Sequence, residues 1–166
     1  CVVNSTNIVA VTVNAKPTVP TVSINGNTNF CQGGNVVLSI VNNPANTYQW
    51  MNKGNNISGA TTNSYTATDS GTYFLNITNI DGCSSKTQEV IVNVAPSPLA
   101  PLISTNGSPS FCAGDSVILS ASFNPVYTYQ WKLNGGAIGT NNSTFIAKSS
   151  GNYSLEVSNA SGCVVN

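Results

Sequence analysis

The tripeptide Tyr48-Gln49-Trp50 returns as Tyr129-Gln130-Trp131 81 residues later, and almost everything flanking the first copy has a counterpart flanking the second. A chain duplicated at that period folds one pattern twice, so the sequence divides into two small domains of about 80 residues each rather than one large one. In each copy the side-chain period of two sets the Tyr and Trp on one face of a short strand and the Gln on the other. A Trp so placed is a core residue before it is a ligand platform, and Trp50 and Trp131 are assigned to the two cores.

Domains this small bury a modest share of their surface and often need covalent help. Cys31 and Cys112 each stand 19 residues before their tryptophan, while Cys83 and Cys163 follow theirs by 33 and 32. The matched spacing predicts one disulfide per repeat, Cys31 with Cys83 and Cys112 with Cys163, with buried free thiols as the alternative. Closing each loop would stabilise its domain by about 4 kcal/mol in the chain-entropy model. Zinc is a poorer reading, because the chain has no histidine and no CxxC pair. Disulfides imply an oxidising compartment, hence a secreted or surface-displayed protein. No signal peptide or membrane span is recognisable and Cys1 is left over, so the sequence is expected to be an interior piece of a longer chain.

Five basic and five acidic side chains leave no basic patch for nucleic acid and no polybasic face for a membrane. Neither nucleic acid binding nor direct membrane insertion is expected. Solubility falls to Asn, Ser and Thr, and amide- and hydroxyl-rich surfaces on valine-rich strands are typical of extracellular all-β modules.

Residues 1–17 are predicted to be the last strand of a preceding repeat plus a linker, with Val9, Val11 and Val13 alternating as Val90, Val92 and Val94 do after Cys83. Residues 18–97 form the first whole repeat, and residues 98–166 a second that lacks its last strand. Each opens with a short edge strand and an Asn-Gly turn, Asn25-Gly26 or Asn106-Gly107. Then come Phe30-Cys31 or Phe111-Cys112, and core strands bearing Val36, Leu38, Ile40 or Val117, Leu119, Ala121. After the Tyr-Gln-Trp strand and a short strand at Tyr65 or Phe145 stand Asp69-Ser-Gly-Thr-Tyr73 and Ser149-Ser-Gly-Asn-Tyr153. Each leads into another alternating strand and a turn ending Gly82-Cys83 or Gly162-Cys163. No helical period is present, and the spacing of strands and turns predicts an all-β fold, a sandwich of two antiparallel sheets in each repeat.

With Trp50 and Asp69-x-Gly71-x-Tyr73, and again Trp131 and Gly151-x-Tyr153, the chain resembles an immunoglobulin-like domain over nearly its whole length. The resemblance implies that the Trp is the core tryptophan of the third strand and that Tyr73 and Tyr153 are tyrosine corners. One feature departs from the antibody pattern: Leu75 and Leu155 stand where the second cysteine would be, facing Leu38 and Leu119. The displaced cysteines, in the set Phe-Cys-x-Gly, Tyr-x-Trp, Ser-Gly-x-Tyr and Gly-Cys, are similar to the tandem Ig-like repeats of large surface proteins of Bacteroidetes-type bacteria. Those include gliding-motility adhesins and cargo of type IX secretion. That likeness implies a structural or adhesive extracellular repeat, without catalytic residues or cofactors to carry over.

The acids Asp69, Asp81, Glu89, Asp115 and Glu156 are scattered over turns and strands, where such residues usually satisfy local backbone; no catalytic or metal site is assigned. The rival to a structural role is a carbohydrate-binding accessory module of a secreted enzyme. Its candidate glycan contacts are Phe74, which should point away from the Tyr73 face, and Phe123 and Tyr127, which have no aromatic counterpart in the first repeat. Finally, Cys1-Val-Val-Asn4 is identical to Cys163-Val-Val-Asn166. Two explanations compete: a window on a long covalent array of adjacent repeats, or head-to-tail self-assembly in which the first strand completes a neighbouring molecule.

Overall fold

The computed structural model describes residues 9–166, so Cys1 and the first part of the valine tail lie outside the described residues. In chain order the first repeat holds β1 (Ser23–Asn25), β2 (Asn29–Cys31), β3 (Val36–Ser39), β4 (Asn46–Asn52), β5 (Asn55–Asn56), β6 (Ser64–Ala67), β7 (Gly71–Asn79), β8 (Ser84–Lys86) and β9 (Val90–Ala95). The second holds β10 (Ser104–Thr105), β11 (Val117–Ser120), β12 (Tyr127–Leu133), β13 (Gly136–Ile138), β14 (Thr144–Ala147), β15 (Tyr153–Asn159) and β16 (Val164–Val165).

These strands make two compact units whose limits differ from those of the sequence repeats. One contains the chain up to Thr28 together with Asn35–Val92; the other contains Asn29–Gly34 together with Asn93–Asn166. The crossover thus falls inside β9, at Val92, rather than at residue 97. The Phe-Cys-x-Gly segment of the first repeat belongs to the second unit.

In the first unit, β1, β3 and β6 form one antiparallel sheet, and β7 pairs with β4, with β8 and with the first half of β9 to form the other. The period of two aims Val36 and Leu38 of β3, Tyr48 and Trp50 of β4, and Tyr73, Leu75 and Ile77 of β7 into the interior, where all are buried. The second unit repeats the plan with β10, β11 and β14 in one sheet and β13, β12, β15 and β16 in the other. Its core joins Val117, Leu119, Tyr129, Trp131, Ala147, Leu155 and Val157. Each unit is an immunoglobulin-like sandwich, and buried leucines fill the inter-sheet position.

Local chemistry explains the registers. The hairpins β4–β5 and β12–β13 close on two-residue loops, Lys53-Gly54 and Asn134-Gly135, in which all four residues have positive φ. That is the mirror-image turn whose twist suits antiparallel strands. Trp50 Nε1 donates to the Thr62 carbonyl and Trp131 Nε1 to that of Asn142, so neither buried ring leaves its N–H unpaired. Tyr73 and Tyr153 donate to the carbonyls of Asp69 and Ser149, four residues upstream, as tyrosine corners do.

The glutamines between Tyr and Trp have a role that alternation does not reveal. Gln49 Nε2 donates to the carbonyls of Trp50 and Ile57, and Gln130 Nε2 to those of Trp131 and Ile138. Each amide thereby ties β4 or β12 to the chain that returns after the hairpin loop.

Residues 9–15 form no strand. Val9, Val11 and Val13 are 81%, 82% and 91% exposed, although they alternate as Val90, Val92 and Val94 do in β9.

Candidate functional site

The feature that sets this chain apart from a plain sandwich is the environment of its cysteines, and the structure corrects the pairing expected from spacing. Cys31 is bonded to Cys163, 132 residues away, and Cys83 and Cys112 are free. Neither Cys31–Cys83 nor Cys112–Cys163 forms. The reason lies in the parallel pairing of β2 with the second half of β9, which sets Asn29, Phe30 and Cys31 opposite Asn93, Val94 and Ala95. Cys163 lies against the same residue, with its Sγ 3.9 Å from the Ala95 carbonyl oxygen. In a periodic sequence, equal spacings are preserved whether a crosslink stays inside a repeat or steps to the next one, so spacing alone could not choose.

The Gly-Cys turn is held to the segment before its own repeat by one asparagine. Asn159 Oδ1 accepts from the Cys163 N–H at 3.0 Å, and its Nδ2 donates to the Pro96 carbonyl at 2.8 Å. Asn79 does the same for Cys83, accepting its N–H at 2.9 Å and donating to the Ala15 carbonyl at 2.9 Å. Cys83 Sγ then lies 3.7 Å from the Asn14 carbonyl oxygen, the counterpart of Ala95. Ser85 Oγ adds a bond to the Pro17 carbonyl. Sequence reasoning missed both asparagines; their signal was their identical place four residues before each turn cysteine.

The candidate glycan contacts separate. Phe74 is 8% exposed, with Lys86 Nζ 4.0 Å above its ring, and is unavailable to a sugar. It points away from Tyr73 as alternation requires, but β8 brings Lys86 over it. Phe123 is 72% exposed, its ring 6.3 Å from that of Tyr129. Phe123 and half-buried Tyr127 share an open pocket of about 290 Å³ with Leu99 and Leu102. Among the described residues no three His, Cys, Asp or Glu side chains gather as metal ligands.

Fold and cysteine turns together define a tandem immunoglobulin-like repeat protein. Residues 17–96 match the family model described as "Ig-like domain CHU_C associated". No curated protein matches the chain. Among solved structures it is similar to the N-terminal eight Ig domains of Down Syndrome Cell Adhesion Molecule isoform 1.30.30, at 16% identity and a TM-score of 0.58, over 85% of this chain. The chain spans 25% of that structure's length, and the likeness is one of fold. Murine CEACAM1b is matched at 21% identity and a TM-score of 0.39, over 84% of this chain and 92% of that one.

Proposed function

We propose that the chain is a non-catalytic, load-bearing and adhesive repeat segment of a long extracellular protein, acting by repetition rather than through one deep site. The observation that carries this reading is the Cys31–Cys163 bond. It closes a covalent loop around 132 residues, so tension on the chain ends can peel β1 and β16, which lie outside the loop, while the chain between the cysteines is bypassed through sulfur. A structural disulfide also suits an oxidising, extracellular setting. The motif set that resembles Bacteroidetes-type repeats, together with the match of residues 17–96, supports a bacterial surface protein of the gliding-adhesin kind, exported by type IX secretion.

The test is single-molecule stretching of the chain held by its two ends. In oxidised protein the residues between the cysteines stay hidden; a reductant releases about 460 Å of additional contour length, at ~3.5 Å per residue. Equal extension with and without reductant would sink the load-bearing reading.

A second reading has its own observation, the pocket that gathers Phe123, Tyr127, Leu99 and Leu102. Its first-repeat counterparts to the rings are Asn42 and Asn46, so the aromatic lining is peculiar to the second repeat. As a carbohydrate-binding module the chain would retain one sugar class on a glycan array, and Phe123→Ala and Tyr127→Ala would abolish that signal.

A further inference from the structure

Three Asn-Gly pairs stand at turns of this chain, Asn25-Gly26, Asn106-Gly107 and Asn134-Gly135, and all six residues are exposed. The fold holds two of them and leaves the third loose. Asn106 donates its main-chain N–H to the Ile118 carbonyl at 3.1 Å and accepts the Ile118 N–H on its Oδ1 at 2.8 Å. Asn134 grips Asn152 in the same way, donating to its carbonyl at 2.8 Å and accepting its N–H on Oδ1 at 2.9 Å. In both, the side-chain amide is fixed to a neighbouring strand.

Asn25 sits where Asn106 does, and opposite it Val37 is the counterpart of Ile118. Here β1 runs one residue further than β10 and pairs Asn25 with Val37 main chain to main chain. The Val37 N–H is thereby engaged in the strand ladder, and among the described residues nothing hydrogen-bonds to the Asn25 side chain. In an antiparallel ladder the residue after a bonded pair turns its N–H away from the partner strand. The Gly26 N–H therefore points away from β3, at an exposed residue with no side chain to shield it. A primary amide free to rotate beside such a nitrogen can reach the near-attack geometry for ring closure.

We propose that Asn25 is a self-modification site, at which the fold permits deamidation with water as the only co-reactant. The Gly26 nitrogen gives its proton to solvent and attacks Cγ of Asn25. The new C–N bond closes a succinimide as the Cγ–Nδ2 bond breaks, and the amide leaves as ammonia. Water then opens the ring at one carbonyl or the other, giving aspartate, or isoaspartate whose main chain runs through the former side chain. No electrons are transferred. Isoaspartate inserts one main-chain atom at the position paired with Val37, so the ladder and the alternation of faces fall out of step there. β1 precedes Cys31, so the Cys31–Cys163 crosslink does not secure it, and the modification loosens β1 from β3.

The test is peptide mapping of the full, oxidised chain during incubation at mildly alkaline pH. Deamidation is expected first at Asn25, roughly tenfold faster than at Asn106 or Asn134, since each of those must give up a side-chain hydrogen bond before its ring can close. In the reduced, denatured chain the three should convert at similar rates. Equal or faster conversion of Asn106 or Asn134 in the folded protein would overturn the proposal. So would an Asn25 lead that persists undiminished after denaturation, which would belong to the local sequence rather than to the fold. The parent carries no formal net charge, so ion exchange separates it from the deamidated forms. The isoaspartate form should unfold at a lower denaturant concentration than the parent, while Asn25→Asp, which adds the charge without the extra main-chain atom, should stay close to it. An isoaspartate form as stable as Asn25→Asp would refute the loosening of β1.

Discussion

Thr87 Oγ1 accepts a hydrogen bond from the Leu75 N–H at 2.9 Å and donates to the Gln88 carbonyl at 3.1 Å. The side chain stands in for main chain where β8 has ended and β9 has not begun, and it is buried there. Thr87→Val keeps the shape and strands a buried N–H. The substitution should cost about 1–3 kcal/mol in chemical denaturation, and Thr87→Ser should recover most of it.

Asn52 and Gly71 form a second such pair, and here the second repeat shows the better solution. Asn52 Oδ1 is buried without a hydrogen-bond partner, and a Cβ on Gly71 would run into the Asn52 side chain. The second repeat has Leu133 over Gly151 at the same place. Asn52→Leu should therefore stabilise the first unit by about 1 kcal/mol, by removing an unsatisfied polar atom. Gly71→Ala should destabilise it by about 1–3 kcal/mol through overpacking. Thermal unfolding of both variants distinguishes these signs.

Lys53 holds φ at 50° in the turn where the second repeat has Asn134 at 49°. A left-handed conformation costs a lysine about 1 kcal/mol that asparagine partly avoids. Lys53→Asn should raise stability by some tenths of that, read as a small upward shift in denaturation midpoint with unchanged slope.

Burial, with the nearby Tyr65 and Asp69 charges adding to it, pushes the Tyr73 phenol above its ordinary value. Unfolded tyrosine loses its proton near pH 10, while the folded residue still holds its own, so the native state binds more protons there. The contribution is complete below about pH 10 and is lost as pH rises through the folded value. Denaturation between pH 8 and 11 should show Tyr73→Phe losing less stability than the parent over the alkaline part of that range.

Much of this was legible in the sequence for reasons of local physics. The alternation around Trp50 and Trp131, the Ser-Gly-x-Tyr corners and the Gly-containing turns report side-chain faces and φ preferences, which the chain carries residue by residue. The cysteine pairing was not legible, because β2 pairs in parallel with a strand 64 residues downstream, and no local preference encodes that partner. Phe74 failed as an exposed ring for a related reason. Alternation sets which face a side chain leaves by, not what the neighbouring strand lays over it, and here that is Lys86. The tail valines kept their alternation and found no sheet.

The pairing of the cysteines bears most directly on the account, since the load path follows from it. Digestion of the native, alkylated, unreduced protein followed by mass analysis should yield a peptide containing Cys31 joined to one containing Cys163. In the monomeric protein Cys83 and Cys112 should be alkylated. Recovery of Cys31 joined to Cys83, with Cys112 joined to Cys163, would contradict it.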